Sequence, residues 1–375
     1  FQNDIIMSHA VVLCLTALGF IGVLHLISCY IIYPAALIIL SRTKNKKNEY
    51  CQHPKNNGLK KEIEPLPPRK ATLTLIVPFY NELSILNEKL KSIKADNKLY
   101  DRFDIILVND GNPEYSAHQI KAAILETELK INGQIIAIKL NEQRGKSFAQ
   151  YTAALRADSE YLLFSDADSL FAGNYFINLY NYIISGFELT GGLLKYKISG
   201  SEQTYWNIET KIKLLESDAG LWNTGLFGSN ILIKRELYLT FPYYTFCDFS
   251  LPLYYQTATR QRIELSQDLI VYENGVDYNI FEIFRTKSRI VRRAIFGFLK
   301  FIKFSSNIEL KMLLQLYFHK ISRWLTLLWL SFTAAGIVAL DASAGVWLLI
   351  FLIAAMLIFF IFHKRRFLFA ATTIV

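Results

Sequence analysis

Tyr161-Leu-Leu-Phe-Ser-Asp-Ala-Asp168 is a short apolar run that ends in two carboxylates one residue apart. Its length suits a buried strand. Side chains at i and i+2 of an extended segment point the same way, so Asp166 and Asp168 are expected to face one ligand. Hard oxygen donors suit Mg²⁺ or Mn²⁺, which also takes the oxygens of a diphosphate. Three segments stand before it in the chain, each at the end of its own apolar run: Thr74-Leu-Ile-Val-Pro-Phe-Tyr-Asn-Glu82, Val108-Asn-Asp-Gly-Asn112 and Arg144-Gly-Lys146.

Working outward, strands are expected at Thr72–Val77, Asp104–Val108, Gln134–Lys139 and Tyr161–Phe164. Leu86, Leu90 and Ile93 recur at helical spacing between the first two. Repeated strand–helix units of this length predict an α/β domain with a mostly parallel sheet covered by helices. Nucleotides bind such sheets beyond the carboxyl ends of the strands, where all four segments fall. There Pro78 is expected to stop the first strand's ladder, Tyr80 offers a ring for base stacking and Glu82 an acceptor for ribose or base. Lys146, near a helix start, is placed for phosphate or base contact. No dinucleotide fingerprint follows the first strand, and Gly145-Lys146-Ser147 is no P-loop, because Leu140 stands where that motif needs its first glycine.

The order of these segments resembles the family-2 glycosyltransferases, which have the GT-A fold and use nucleotide-sugar donors. The resemblance spans roughly Ala71 to Arg293. It implies donor-nucleotide contacts from Pro78, Tyr80, Glu82, Asp110, Lys146 and Asp166, with the metal on Asp168. Family members usually carry two carboxylates after the second strand; Asn109 replaces the first here, so the nucleobase role passes to Asp110 alone. Trp222–Asn230, reading WNTGLFGSN, is similar to the family's acceptor-side loop, with Trp222 and Gly228 on the acceptor side. In Phe246-Cys-Asp-Phe-Ser-Leu-Pro252 the family's acidic pair is reduced to Asp248, the implied general base, with Cys247 at the first position. Lys287 and Arg289, in Phe284-Arg-Thr-Lys-Ser-Arg289, are implied to cover the leaving diphosphate. The Gln-x-x-Arg-Trp sequence of processive synthases is not found; Arg292-Arg293-Ala is a poor substitute, which argues against long-chain synthesis. The implied activity is inverting transfer from a nucleoside-diphosphate sugar, with UDP-sugars favoured, to a lipid-linked or growing polysaccharide acceptor. Transfer to polyprenyl phosphate is an alternative, and a catalytically silent nucleotide-sugar-binding scaffold is an alternative of another class.

The chain has 375 residues, is 52% hydrophobic and carries a net charge of +9. That apolar share points to membrane segments. Ala10–Leu40 is long enough to span a bilayer, with a bend expected near Pro34; Trp324–Leu340 and Ala344–Phe362 read as two further spans joined by Asp341-Ala-Ser-Ala. Phe367–Val375 starts another apolar run and stops halfway, and the chain begins without Met, which reads as a piece of a longer protein. Residues 41–70 read as a basic flexible linker, 71–289 as the GT-A domain, 290–320 as amphipathic interface helices and 321–375 as C-terminal membrane helices. Basic residues crowd at Arg42–Lys61 and His363–Arg366, which predicts both on the cytoplasmic side of a multi-pass protein of the cell membrane, such as a bacterial inner membrane. The same clustering assigns the positive charge to topology and membrane lipid rather than nucleic acid. Cys14 and Cys29 lie about 22 Å apart on one predicted helix, and Cys51 and Cys247 are isolated, so neither a disulfide nor a zinc site is expected.

Overall fold

The computed structural model describes residues 2–44, 71–94, 99–127, 129–197, 201–241, 248–274 and 280–340. Linker residues 45–70, Cys51, Cys247, the 341–343 connection, the Ala344–Phe362 span and the His363–Arg366 cluster lie outside the described residues.

Strands β1 (Ala71–Phe79), β2 (Tyr100–Asn109), β3 (Ile135–Lys139), β4 (Tyr161–Phe164), β5 (Ser169–Phe171), β6 (Leu189–Tyr196), β7 (Ile231–Lys234) and β8 (Leu265–Glu273) form one sheet. Its order is β3-β2-β1-β4-β7-β6-β8-β5. Strands β3, β2, β1 and β4 run parallel, as do β6 and β8, while β7 and β5 pair antiparallel with their neighbours. The expected mostly parallel α/β sheet is therefore present. Strand β1 is apolar on both faces because helices cover both; Leu73, Leu75, Ile76 and Val77 are fully buried. Each such side chain contributes roughly 1.5–3 kcal/mol. Helix α3 (Leu83–Lys91) buries Leu86 and Leu90, and α5 (Lys146–Arg156) buries Ala149, Ala153 and Ala154, small residues that bring the helix axis close to the sheet.

Pro78 does not end the strand. It pairs with Val108, and β1 runs on to Phe79. The reason lies in the ladder on the other side. The last β1–β4 pair is Ile76 with Phe164, and the Ile76 carbonyl accepts from the Ser165 N–H. Two residues on, Pro78 points the same way, where β4 has already left the sheet, so its missing donor costs nothing.

Helices α4 (Ala117–Leu125), α6 (Tyr175–Ile184), α7 (Ser201–Asp218), α8 (Arg235–Thr240) and α9 (Ser250–Thr259) complete the domain. Helix α10 runs from Ile280 to Phe304, so the expected boundary between 289 and 290 falls inside it. The basic stretch Arg285–Arg289 contains neither Pro nor Gly, and nothing stops the helix there. Phe301 is fully buried with its ring edge-on to Tyr254, while Ile295, Leu299 and Ile302 are exposed. A helix that packs on its domain and bares large apolar residues outward has the build of an interface helix.

Helix α1 (Gln2–Ile27) leads through a π-helical turn, Ser28–Ile32, into α2 (Tyr33–Lys44). His9–Thr43 remains one helix long and apolar enough to cross a membrane. The wide turn lies just ahead of Pro34, where the ring's missing N–H interrupts the helical ladder. Helix α11 (Leu310–Leu316), a second π turn (Tyr317–Ile321) and α12 (Ser322–Trp324) precede α13 (Thr326–Leu340), which is bent 71° from them. Helix α13 lies against α1. A Cβ on Gly336 would meet Gly19 Cα at 2.4 Å, and one on Gly22 would meet the Trp329 carbonyl oxygen at 2.5 Å. Small residues at such a crossing let two backbones touch. His25 packs at 4.1 Å between ring centroids on Trp329 and lies 3.3 Å from the Tyr317 hydroxyl. Gly336→Leu is expected to destabilise the protein by about 1–3 kcal/mol through overpacking. Thermal unfolding in detergent measures this, and an unchanged midpoint would show that the two helices do not meet there.

Candidate active site

The carboxyl ends of β1 and β2 are built by polar residues that satisfy one another. Glu82 Oε2 accepts from the Tyr80 and Asn81 N–H groups at 2.7 and 2.9 Å, which fixes the turn after Pro78. Asn109 is fully buried; its Oδ1 accepts from Asn112 N at 2.8 Å and its Nδ2 donates to Asn112 O at 3.1 Å. A carboxylate lacks that donor, so the departure at Asn109 has a local use. Asp110 accepts from Arg144 N at 3.0 Å and Gly145 N at 2.9 Å, tying the end of β2 to the start of α5. Burial raises the Asp110 carboxyl, and these N–H groups work against that rise. The chain turns here through Gly111, at φ +79°, where a Cβ would lie 2.2 Å from the Glu142 carbonyl carbon. Gly111→Ala is expected to cost about 1–3 kcal/mol from the left-handed backbone alone. Gly173→Ala, whose Cβ meets nothing within 4 Å, is the control. Equal melting temperatures for the two variants would contradict the packing at Gly111.

Asp166 and Asp168 do not sit on an extended segment. Residues 165–168 leave β4 and turn into β5, with the Asp166 carbonyl accepting from Ser169 Oγ at 2.9 Å. The turn, rather than strand alternation, brings the two carboxylates together. Ser169 pairs with Glu273 across β5 and β8, and this adds a third. Ligand atoms of Asp166, Asp168 and Glu273 all lie within 4.8 Å of one another. Three converging hard oxygens fit a divalent cation of the Mg²⁺ or Mn²⁺ kind. Burial first, and the Asp166 charge second, push Asp168 up to about 6. Glu273 was missed in the sequence because nothing local announces that β8 pairs with β5.

Lys146 opens α5 behind Gly145. Its Nζ lies 2.5 Å from Asp166 Oδ1 and donates to the Gly228 carbonyl at 3.2 Å. Burial alone would lower this ammonium, but Asp166 and Asp248 outweigh it and the lysine is raised. A Cβ on Gly228 would stand 2.9 Å from Lys146 Nζ and 3.4 Å from Asp248 Oδ2, so the bare glycine keeps the space between them open. The Asp248 carbonyl accepts from Leu226 N at 2.8 Å, which fastens the acceptor-side loop to the candidate base.

These groups open into a cavity of about 590 Å³ whose wall includes Lys146, Gly228, Asp248, Trp206, Lys213 and Lys287. Lys287 is buried, its ammonium 4.6 Å from the Tyr205 ring centroid and 5.5 Å from that of Trp206. Arg289 is exposed and not on the wall, whereas Arg293 is. Trp222 is not on the wall either. Its N–H and C=O pair with the Gln315 amide at 3.0 and 2.6 Å, and Arg262 stands over its ring. The wall also carries a charge network the sequence did not reveal, with Glu209, Thr224, His319, Lys320 and Arg323 lining the cavity and Glu216 behind them. Glu209 bonds Lys320 and lies 3.0 Å from Arg323, and His319 Nδ1 lies 2.7 Å from Glu216 and 2.8 Å from Thr224 Oγ1. Burial would raise Glu209, but Lys320, His319 and Arg323 hold it well below the usual carboxylate range. The one sequence signal was acidic residues on the inner side of α7.

Residues 74–250 match the family described as glycosyl transferase family 2. They are a family 2 glycosyltransferase domain. A poly-β-1,6-N-acetyl-D-glucosamine synthase of Staphylococcus aureus is 28% identical over 172 residues, covering 44% of this chain and 40% of that protein. An uncharacterized glycosyltransferase of Rickettsia bellii is 25% identical over 209 residues, 53% of this chain and 26% of that one. The chain thus spans less than half the length of these relatives. Among solved structures, the mannosyltransferase PcManGT from Pyrobaculum calidifontis, in complex with GDP-Man and Mn²⁺, superposes with a TM-score of 0.63 at 19% identity. That match covers 95% of this chain and 98% of the other, and it shows that the GT-A-like fold is shared.

Proposed function

We propose that this family 2 glycosyltransferase moves a sugar, with inversion, from a nucleoside-diphosphate donor to an acceptor hydroxyl at the cytoplasmic face of a membrane. The observation that carries the reading is Lys146. One ammonium joins Asp166 of the acidic cluster to Gly228 of the acceptor-side loop, beside Asp248. The donor's phosphates and the acceptor's hydroxyl would then meet on either side of a single side chain. A divalent cation bound by Asp166, Asp168 and Glu273 would neutralise charge on the departing nucleoside diphosphate. Asp248 would take the acceptor proton while the hydroxyl attacks the anomeric carbon from the face opposite the leaving group. Tyr80 and Asp110 stand at the strand ends where the base would lie. Lys287, closed in by Tyr205 and Trp206, lines the cavity, where it would meet the anionic end of a ligand. UDP-sugars are favoured as donors by the family resemblance.

The His9–Thr43 helix and the outward apolar side of α10 support membrane anchoring, with membrane lipid against both and a lipid-linked or growing polysaccharide as acceptor. A second reading, transfer to polyprenyl phosphate, is favoured by Lys213. This cavity lysine is buried and makes no ion pair among the described residues, and burial lowers it to about 8. A silent nucleotide-sugar-binding scaffold could use the acidic cluster and Lys146, but it would have no use for a carboxylate, Asp248, across Gly228 from that lysine. Labelled sugar from a panel of UDP- and GDP-donors, incubated with membranes containing the chain, separates these readings. Label in polymer or in lipid-linked saccharide supports the first, label in an acid-labile lipid monophosphate the second. Donor binding with no transfer into either fraction would overturn the enzymatic reading.

A further inference from the structure

Helix α3 carries a lysine where its buried side should be apolar. Lys89 lies between Leu86 and Leu90 and is as fully buried as they are. Its Nζ donates to Ser165 Oγ at 2.6 Å, to Ser169 Oγ at 3.1 Å and to the Ser169 carbonyl, and it stands 3.6 Å from the Phe171 ring centroid. All three ammonium donors are thus used, none on a carboxylate. Ser165 and Ser169 bracket the turn that carries Asp166 and Asp168. A wholly buried ammonium is costly unless compensating charge lies near. That charge comes from Asp166, Asp168 and Glu273, whose fields support the protonated form against a burial that pulls it down to about 7.

We propose that Lys89 is a built-in counter-ion of the acidic cluster and that it opposes the divalent cation bound there, so that it sets the cluster's metal affinity from beneath. The inference rests on the metal reading of Asp166, Asp168 and Glu273. Three carboxylates within 4.8 Å of one another repel when no cation is present, and Lys146, paired with Asp166 alone, offsets only part of that. The Lys89 ammonium, held by Ser165 and Ser169, relieves that repulsion without bonding any of the three carboxylates. A divalent cation arriving among the carboxylates takes over the same field and meets a like charge below it. The two cations are therefore linked, and each weakens the hold on the other. The turn does not depend on Lys89 alone for its shape. Ser165 Oγ also donates to the Ser229 carbonyl at 2.8 Å, and Ser169 Oγ to the Asp166 carbonyl at 2.9 Å. Lys89 is thus a positioning residue whose principal effect is electrostatic.

The test is Mn²⁺ binding, followed by electron paramagnetic resonance at pH 6.5, on the protonated side of the value of about 7 to which burial pulls Lys89. It compares wild type, Lys89→Met, Lys89→Gln and Ser165→Ala in the detergent-solubilised full chain. Lys89→Met keeps length and loses charge, and it should bind Mn²⁺ about tenfold more tightly, within the usual range for coupled sites. Lys89→Gln should shift the same way. Ser165→Ala removes one hydrogen bond and keeps the ammonium, and it should bind no more tightly than wild type. The melting temperature gives a second readout. Lys89→Met should lose stability in chelator and regain more of it on adding Mn²⁺ than wild type does. Equal or weaker Mn²⁺ binding by both Lys89 variants, or a stability loss the same with and without Mn²⁺, would overturn the proposal and leave Lys89 a packing residue. Failure of wild type to bind Mn²⁺ at all would instead overturn the metal reading beneath it.

Discussion

Replacing Asp248 by Asn is expected to lower sugar transfer by about 10²–10⁴-fold, the common range for loss of a general base. Donor affinity should stay close to that of wild type. The substitution keeps shape and hydrogen-bonding reach and removes only the ability to take a proton. Asp248 stands across Gly228 from Lys146, on the acceptor side of the ammonium that also holds Asp166. Its work therefore begins after the donor has bound. The family's usual acidic neighbour is Cys247 here, so no second carboxylate at that position substitutes for it. Calorimetry for donor binding, beside turnover in the same preparation, separates the two effects. Transfer at near wild-type rate would move the base elsewhere. A donor affinity that fell in step with turnover would place Asp248 on the donor side instead.

Asp168→Ala should act at the earlier step and remove donor binding together with turnover. On the proposed function the Asp166, Asp168 and Glu273 cluster would hold the diphosphate only through the cation, and losing one of three ligands should weaken Mn²⁺ by at least about 100-fold, beyond the effect of losing a supporting residue. EDTA should have the same consequence in wild type, reversed by excess Mg²⁺ or Mn²⁺. The pH dependence has a definite sign. The Asp168 carboxyl is pushed up to about 6, so protons compete with the metal at and below that value, and Mn²⁺ affinity should fall as pH drops through it. Mn²⁺ titrations between pH 5 and 8 measure this. Full transfer in chelator, or donor affinity untouched in Asp168→Ala, would remove the cation from the mechanism.

The parallel half of the fold was legible because its signals are local. An apolar run such as Thr74–Val77 has to be buried on both faces, and a carboxylate or lysine directly after such a run lies at a strand's carboxyl end. The order of Pro78, Asp110, Lys146 and Asp168 along the chain therefore fixed which edge of the sheet carries the site, and the spacing of Leu86 and Leu90 fixed the inner side of α3. Tertiary structure decided what spacing cannot encode. Pro78 stays inside β1 because a different strand, β4, has already left the sheet beside it. Asp166 and Asp168 converge through a turn, and Glu273 joins them only because β5 pairs with β8. Trp222 and Gly228 belong to one loop, yet a contact with Gln315 takes the tryptophan off the cavity wall while Gly228 stays between Lys146 and Asp248. Lys89 reads as an ordinary helix-surface lysine until the strands beneath it are in place, because burial and the field of distant carboxylates are properties of contacts between segments, which the order of residues along the chain does not state.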